Sequence, residues 1–372
     1  MSRRFPNEVD VLVVGGGPAG LATAIAARQR GLSVLVADGA TPSIDKACGE
    51  GLMPDGVEAL TRLGVRIVES QARAFCGIRF INGGQRAEAR FPRGTAYGIR
   101  RTVLHRILAA HAASAGACLW WRTPVSGLCA EGALMAGELV RARWVVGADG
   151  AGSRVRRWAR LDVHERKPIR VAARCHYRVA PWTDFMELHW GKHAQVYVTA
   201  VNDQEVCVAV ISNKPRLRFD DVLAEFTELR GQLRDAERTS SARGGITVNR
   251  KLRRVYNENV ALVGDASGGV DAITGEGLCL AFQQAPILAD CLAAGDLPHY
   301  QAEHSKLMRR PLLMAQLMLL MAHHSRLRQR AMQVFESSAR SFPAMLSMHV
   351  GVGSARDYVT NGISLGWQLL KA

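Results

Sequence analysis

The chain reads as an α/β protein with three parts: a buried parallel sheet covered by helices, an interleaved and mostly antiparallel second sheet, and closing C-terminal helices. Three observations predict this. The β-branched run Val9 to Val14 passes through glycines into a helical stretch, and a second apolar strand then ends at Asp38. Two later strands also end in acidic glycine loops, GADG at 147–150 and VGDASG at 263–268. Between those two, residues 169–211 fall into strand-length runs that no helical pattern interrupts.

The opening unit is the most informative. Gly15, Gly17 and Gly20 stand in the order G-x-G-x-x-G, followed by small apolar residues from Leu21 to Ala27. Gly15 suits the tight strand-to-helix turn, Gly17 lets backbone approach a pyrophosphate, and Gly20 lets helix pack on strand. Pro18 and Ala19 complete the turn, where free amides and the positive helix end face an anion. Asp38, eighteen residues after Gly20, sits at a strand tip where a carboxylate accepts from a ribose. Strand, glycines, helix, second strand and acid in register predict a dinucleotide site.

The rest of the chain is read in order. After Asp38 a loop carries Cys48-Gly49-Glu50-Gly51, a thiol and a carboxylate among glycines, and DGVEALTRLGV forms a helix closed by Gly64. The loop is either a plain turn or a surface that lies flat against a cofactor ring. Residues 75–91 read as a hairpin about Gly83-Gly84. A helix opens over Tyr97 to Leu108 and runs to about Gly116, with Arg101 placed to reach a phosphate or a carboxylate. Leu139 to Asp149 is a buried strand, with Asp149 at the edge where parallel sheets bind ligands. Arg156, Arg157 and Arg160 are expected on a basic helix face.

The antiparallel runs turn at Ala180-Pro181, Gly191-Lys192 and Asn202-Asp203. Their inward side chains are expected to include His176, Tyr177, Tyr197 and Thr199, or their alternates. Phe219 to Arg234 reads as one helix, with a strand near Gly245 to Arg250. The strand 260–263 then leads through Gly264 and Asp265 to a glycine loop, and a helix begins at Gly275, Glu276 and Gly277. Lys306 to Ser341 is helical in period and rich in Leu and Met. Its apolar run 312–322 is too short for a bilayer, which takes about twenty residues. An ordinary packing helix, a lid over an apolar pocket and an interfacial helix each fit it, with packing favoured over membrane contact.

At 372 residues, with 48% hydrophobic and 22% charged residues, the chain has the composition of a globular protein with a large core. Eight cysteines without a C-x-x-C pair argue against zinc and a disulfide framework, so no metal is expected. No apolar signal precedes the first strand, so a cytoplasmic protein is expected, with peripheral membrane contact left open. The net charge of +15 has no nucleic-acid module beside it. Dinucleotide phosphates, an acidic carrier protein and an anionic membrane surface would each match it, as would a merely arginine-rich surface.

GGGPAG with Asp38, GADG with Ser153 and Arg154, and VGDASG followed by TGEG together resemble the flavin-binding signatures of the aromatic-hydroxylase-like flavoproteins. That superfamily includes FAD monooxygenases, geranylgeranyl reductases and flavin halogenases. The resemblance covers Val9 to about Gly295. The Ala47–Leu52 loop looks most like the geranylgeranyl reductase branch, where Cys-Gly-Gly is typical; here Glu50 replaces the second glycine. The Tyr-x-Trp-x-Phe-Pro element of that branch is missing, since residues 197–202 read YVTAVN. The halogenase Trp-x-Trp-x-Ile-Pro element is missing too.

The resemblance implies a Rossmann-like FAD domain formed by 1–70, 95–165 and 250–297. It implies a substrate sheet from 71–94 and 166–249, and a helical segment 298–372. FAD would sit against Gly15, Gly17, Pro18, Ala19, Gly20 and Asp38. Arg101, Gly264 and Asp265 would lie along its ribityl and diphosphate portion, and Asp149 would support FAD and pyridine nucleotide. Amides of Gly275, Glu276 and Gly277 would face the flavin carbonyl and stabilise reduced flavin. Without a second G-x-G-x-x-G, NAD(P)H would bind only transiently as electron donor. The favoured chemistry is NAD(P)H-dependent hydroxylation of an apolar aromatic or polyketide-like substrate. The alternatives are reduction of C=C bonds in a prenyl or lipid substrate, with Cys48 and Glu50 catalytic, and a non-catalytic flavin or lipid carrier.

Overall fold

The computed structural model describes residues 6–162, 169–216, 218–247 and 249–353. The expected boundary at 165/166 and the end of the segment 298–372 lie outside the described residues.

Glu8–Val14 is the central strand, and its Val and Leu side chains are almost wholly buried, as a strand covered on both faces requires. It pairs in parallel with Val34–Asp38 on one side and Glu138–Gly147 on the other. Cys118–Trp121 extends the sheet in parallel beyond Val34–Asp38, and Val260–Leu262 beyond Glu138–Gly147. All three acidic loops therefore leave the carboxyl edge of one sheet, where open α/β sheets bind ligands. Pro18–Gln29 and Gly277–Ala294 pack on each other over this sheet. Gly277–Ala294 is long and apolar enough to cross a bilayer by length and composition, but 61% of that window is buried as a core helix.

The second sheet runs, in spatial order, Glu237–Arg238, Arg170–Arg178, Glu205–Ser212, Ala194–Asn202, Phe185–Trp190, Gly77–Asn82 and Gln85–Arg90. Its pairs are antiparallel except Phe185–Trp190 with Gly77–Asn82. Arg170 Nη1 donates to Asp271 Oδ1 at 2.6 Å, and the Tyr197 hydroxyl donates to the Ile273 carbonyl. Both bonds fasten this sheet to the loop that precedes Gly275.

Several expectations are corrected. Ala96–Gly98 is a short strand, and the following helix begins only at Arg101. In the helix Arg154–Trp158, Arg157 is exposed as expected, but Arg156 is buried, pairing with Asp162 at 2.8 Å and donating to the Ala151 and Ala266 carbonyls, so it is not on a surface face. Arg160 already stands past that helix at φ 57°. His176 and Tyr177 are neighbours in one strand and so point to opposite faces. His176 faces the first sheet's loops, while Tyr177 packs in a separate apolar cluster with Val196 and Phe219.

Phe219 to Arg234 is two short helices, Phe219–Leu223 and Thr227–Gln232. Phe226 leaves helical geometry between them and sets its ring edge-on to His189. The strand expected near Gly245 is Arg243–Thr247, paired with Arg170–Arg174. The terminal helix starts earlier than expected, at Leu297, because Asp296 caps the His299 amide at 2.9 Å. It ends at His323, His324 leaves helical geometry, and Ser325–Ser337 and Ser341–His349 follow. The buried Arg328 guanidinium bonds the Met321 and Ala322 carbonyls near that break, at 2.9 and 3.4 Å.

Candidate functional site

Where the two sheets meet, a cleft of about 270 Å³ opens over the carboxyl edge of the parallel sheet. Gly17, Pro18 and Ala19 line it from the first loop, Gly264 and Asp265 from the third, and Gly275 and Gly277 from the start of the long core helix. Lys46, Cys48, Glu50 and Arg101 form one wall. The second sheet roofs it with Arg174, Met186, Tyr197, Ala209 and Ile211.

A Cβ placed on Gly17, Gly49 or Gly277 would meet nothing within 4 Å. These three glycines leave a cradle that no protein atom fills, beside two helix N-termini. Arg101 brings a buried Nε without a protein partner. Asp265 projects into the cleft, and the surrounding walls raise its pKa, an effect opposed by Arg101 and Lys46. The open cradle, the helix ends and the unpartnered guanidinium fit an elongated ligand with an anionic middle, as FAD has.

Other expected residues support the cleft without lining it. Gly15 has φ 112°, and a Cβ there would stand 2.5 Å from the Ala148 carbonyl oxygen. On Gly20 a Cβ would stand 1.9 Å from the Gly15 oxygen. Asp38 accepts the Gly16 and Ala40 amides, each at 2.7 Å, which shapes the first loop while leaving lone pairs free. Asp149 accepts from Ser153 Oγ at 2.5 Å and from the Arg154 and Val155 amides, so its carboxylate builds its own turn.

The Glu276 side chain points away from the cleft, toward Arg310 at 3.4 Å. Burial, only partly offset by Arg310, raises its pKa to about 8. Only the backbone of that residue is available to the cleft loop.

Cys48 and Glu50 are brought together. The Glu50 amide donates to Cys48 Sγ at 3.3 Å. Glu50 is buried in a left-handed conformation at φ 59°, a geometry that favours glycine. Its Oε1 accepts the Arg101 amide at 2.8 Å, and its Oε2 lies 2.7 Å from His176 Nε2. His176 Nδ1 lies 2.8 Å from Ser240 Oγ. The Arg174 guanidinium stands 3.8 Å from Glu50 Oε1 and ion-pairs with Asp45. Burial, foremost, keeps the Cys48 thiol above its usual pKa, with Glu50 adding to the rise and Arg101 opposing it. The thiol is therefore protonated near neutral pH.

Glu50, His176 and Cys207 place ligand atoms within 4.8 Å of one another. Arg174 beside them already supplies the positive charge that a metal would bring. His176, Arg174, Ser240 and Lys46 were not singled out as site residues from sequence. His176 appeared only as a candidate inward side chain. His105 was missed too; its Nε2 lies 3.0 Å from the Gly16 carbonyl oxygen, bracing the first glycine loop.

A family model described as "FAD binding domain" matches residues 8–296. The digeranylgeranylglycerophospholipid reductase of Methanosarcina mazei is 28% identical over 327 residues, covering 78% of this chain and 77% of the relative. The menaquinone reductase of Mycolicibacterium smegmatis is 28% identical over 323 residues, covering 80% and 79%. A crystal structure of a geranylgeranyl bacteriochlorophyll reductase-like protein from Thermoplasma acidophilum superposes with a TM-score of 0.76. It is 22% identical, and 98% of each chain is covered, which is a likeness of fold. The chain belongs to the FAD-binding-domain family and is an FAD-dependent oxidoreductase.

Proposed function

We propose that this protein reduces a C=C bond of a prenyl or other lipid-like substrate. The observation that carries the reading is the Cys48 thiol at the cleft wall, bonded by the Glu50 amide at 3.3 Å and backed by the buried Glu50–His176 pair. Adding hydrogen across an alkene needs a hydride on one carbon and a proton on the other. Bound FAD, once reduced, supplies the hydride. NAD(P)H is the proposed electron source, held transiently because the chain has one G-x-G-x-x-G.

Gly17, Pro18, Ala19, Arg101 and Asp265 would hold the dinucleotide along the cleft. The amides at Gly275 to Gly277 would aim positive dipole at the ring. Cys48 gives its proton to the second alkene carbon and is left as a thiolate. The Cys48 thiolate regains one proton from solvent in each turnover, while the Glu50 amide on Cys48 Sγ and the Glu50–His176 contact hold the loop in place. Glu50 and His176 act through Cys48 and are positioning residues. The relatives named as reductases support this reading.

Hydroxylation is the competing reading, and one assay separates the two. FAD-loaded protein is given NAD(P)H with prenyl lipids or phenols, with and without oxygen. Nicotinamide oxidation coupled to prenyl product without oxygen supports the reductase. Turnover only with phenols and oxygen overturns it.

A further inference from the structure

The helix Leu297–His323 has two apolar faces. Met314 and Met318 point inward and line a small cavity with Met186, Tyr197 and Phe342. Met186 and Tyr197 also line the FAD cleft, so this inner face reaches the edge of the site. Leu313, Leu317 and Leu320 point outward and are 50%, 41% and 45% exposed. Arg309 and Lys306 lie on the same face, one and two turns before Leu313 respectively, and are also exposed. Arg326 and Arg330 follow, exposed on the next helix. No Asp or Glu occurs between Glu303 and Glu336. An uncharged aliphatic stripe is thus bracketed by cations within an acid-free stretch.

We propose that this face docks the protein on an anionic lipid bilayer, with the three leucines entering the acyl boundary and the basic residues meeting headgroups. Charge complementarity selects the partner: Glu303 partly neutralises Lys306 at 3.6 Å, and the exposed Arg309, Arg326 and Arg330 leave net positive charge at both ends of the stripe. Its composition agrees: aliphatic leucines suit acyl chains, whereas protein interfaces are enriched in aromatic residues, which this stripe lacks. The helix would then stand between the bilayer outside and the apolar approach to the cleft inside. The docking holds whichever reaction the cleft performs.

The test is flotation of the FAD-loaded full chain with phosphatidylcholine vesicles, with and without added phosphatidylglycerol. The protein is expected to float with the anionic vesicles and to be released by high salt. The triple variant Leu313→Gln, Leu317→Gln, Leu320→Gln should bind about tenfold or more weakly, and each neutralised cation (R309Q or R326Q) about fivefold. These residues are outside the cleft, so flavin absorbance and melting temperature should stay unchanged. Absence of flotation, or flotation equal in the triple variant, overturns the proposal. Stripe-dependent dimerisation without vesicle binding would assign the face to a second copy. Stripe-dependent binding of an acidic acyl carrier protein without flotation would assign it to a protein partner.

Discussion

Glu50 Oε2 and His176 Nε2 lie 2.7 Å apart in full burial, joining the loop after the first nucleotide-binding unit to the roof sheet. The pair fixes the loop that carries Cys48. Glu50→Gln and His176→Phe are expected to lower product formation by up to about 10²- to 10⁴-fold, the scale on which misplacing the Cys48 proton donor would tell. Flavin content and flavin reduction by NAD(P)H should persist in both. Absorbance titration beside product analysis checks this, and full turnover in either variant would reduce the pair to a structural contact.

Glu50→Gly sets two effects against each other. Glycine relieves the strain of φ 59°, worth about 1–2 kcal/mol. It also strips the buried Arg174 and His176 of their carboxylate, and breaking a buried charge pair costs about 3–5 kcal/mol. The second effect is larger, so chemical denaturation should show a net loss of stability. A gain would mean that the Asp45 contact alone satisfies Arg174.

Two glycines of one motif should fail differently. Gly17→Val puts its side chain into the open cradle, so the protein should fold with an unchanged melting temperature and lose FAD. Gly20→Val drives a Cβ into the Gly15 carbonyl oxygen, so it should lose stability itself. Thermal melts with flavin fluorescence distinguish the two. Retention of FAD by Gly17→Val would move the pyrophosphate elsewhere.

Stability should fall as pH rises from 6.5 to 8. Glu276 titrates near 8 when folded against 4.5 when unfolded, so the folded state holds the extra proton in that window and loses its advantage as pH climbs. His304 and His349 are lowered to about 4 by burial, and their effect runs the other way. Their contribution is present above 6.5 and is lost as pH falls toward 4. Above 6.5 Glu276 therefore dominates, at roughly 2 kcal/mol over the window. Glu276→Gln should flatten the melting-temperature profile there, and an unchanged slope would remove Glu276 as its source.

What the sequence reveals follows from how local each feature is. The glycine loops at Gly15, Gly17 and Gly20 and at Gly275 to Gly277 declare themselves because backbone constraint is written in a few adjacent residues. The Cys48–Glu50 loop shows its chemistry but not its partners. His176 lies 126 positions from Glu50, and no local pattern announces a contact made by packing one sheet on another. The break at His324 is hidden for the same reason: a helix-compatible run is interrupted where Arg328 reaches back to free carbonyls. Arg156 looks like surface charge in a basic run, and only tertiary structure buries it against Asp162.

The central claim is that the cleft adds hydride and proton across a C=C bond, and its most direct test is isotopic. Protein carrying reduced FAD is mixed with a geranylgeranyl lipid or a menaquinone in D₂O without oxygen, and the product is examined by mass spectrometry. The account predicts a saturated bond with deuterium from solvent at the protonated carbon, and loss of that product in Cys48→Ala. Product that appears only when oxygen is admitted, and that carries an oxygen atom from it, would contradict the account.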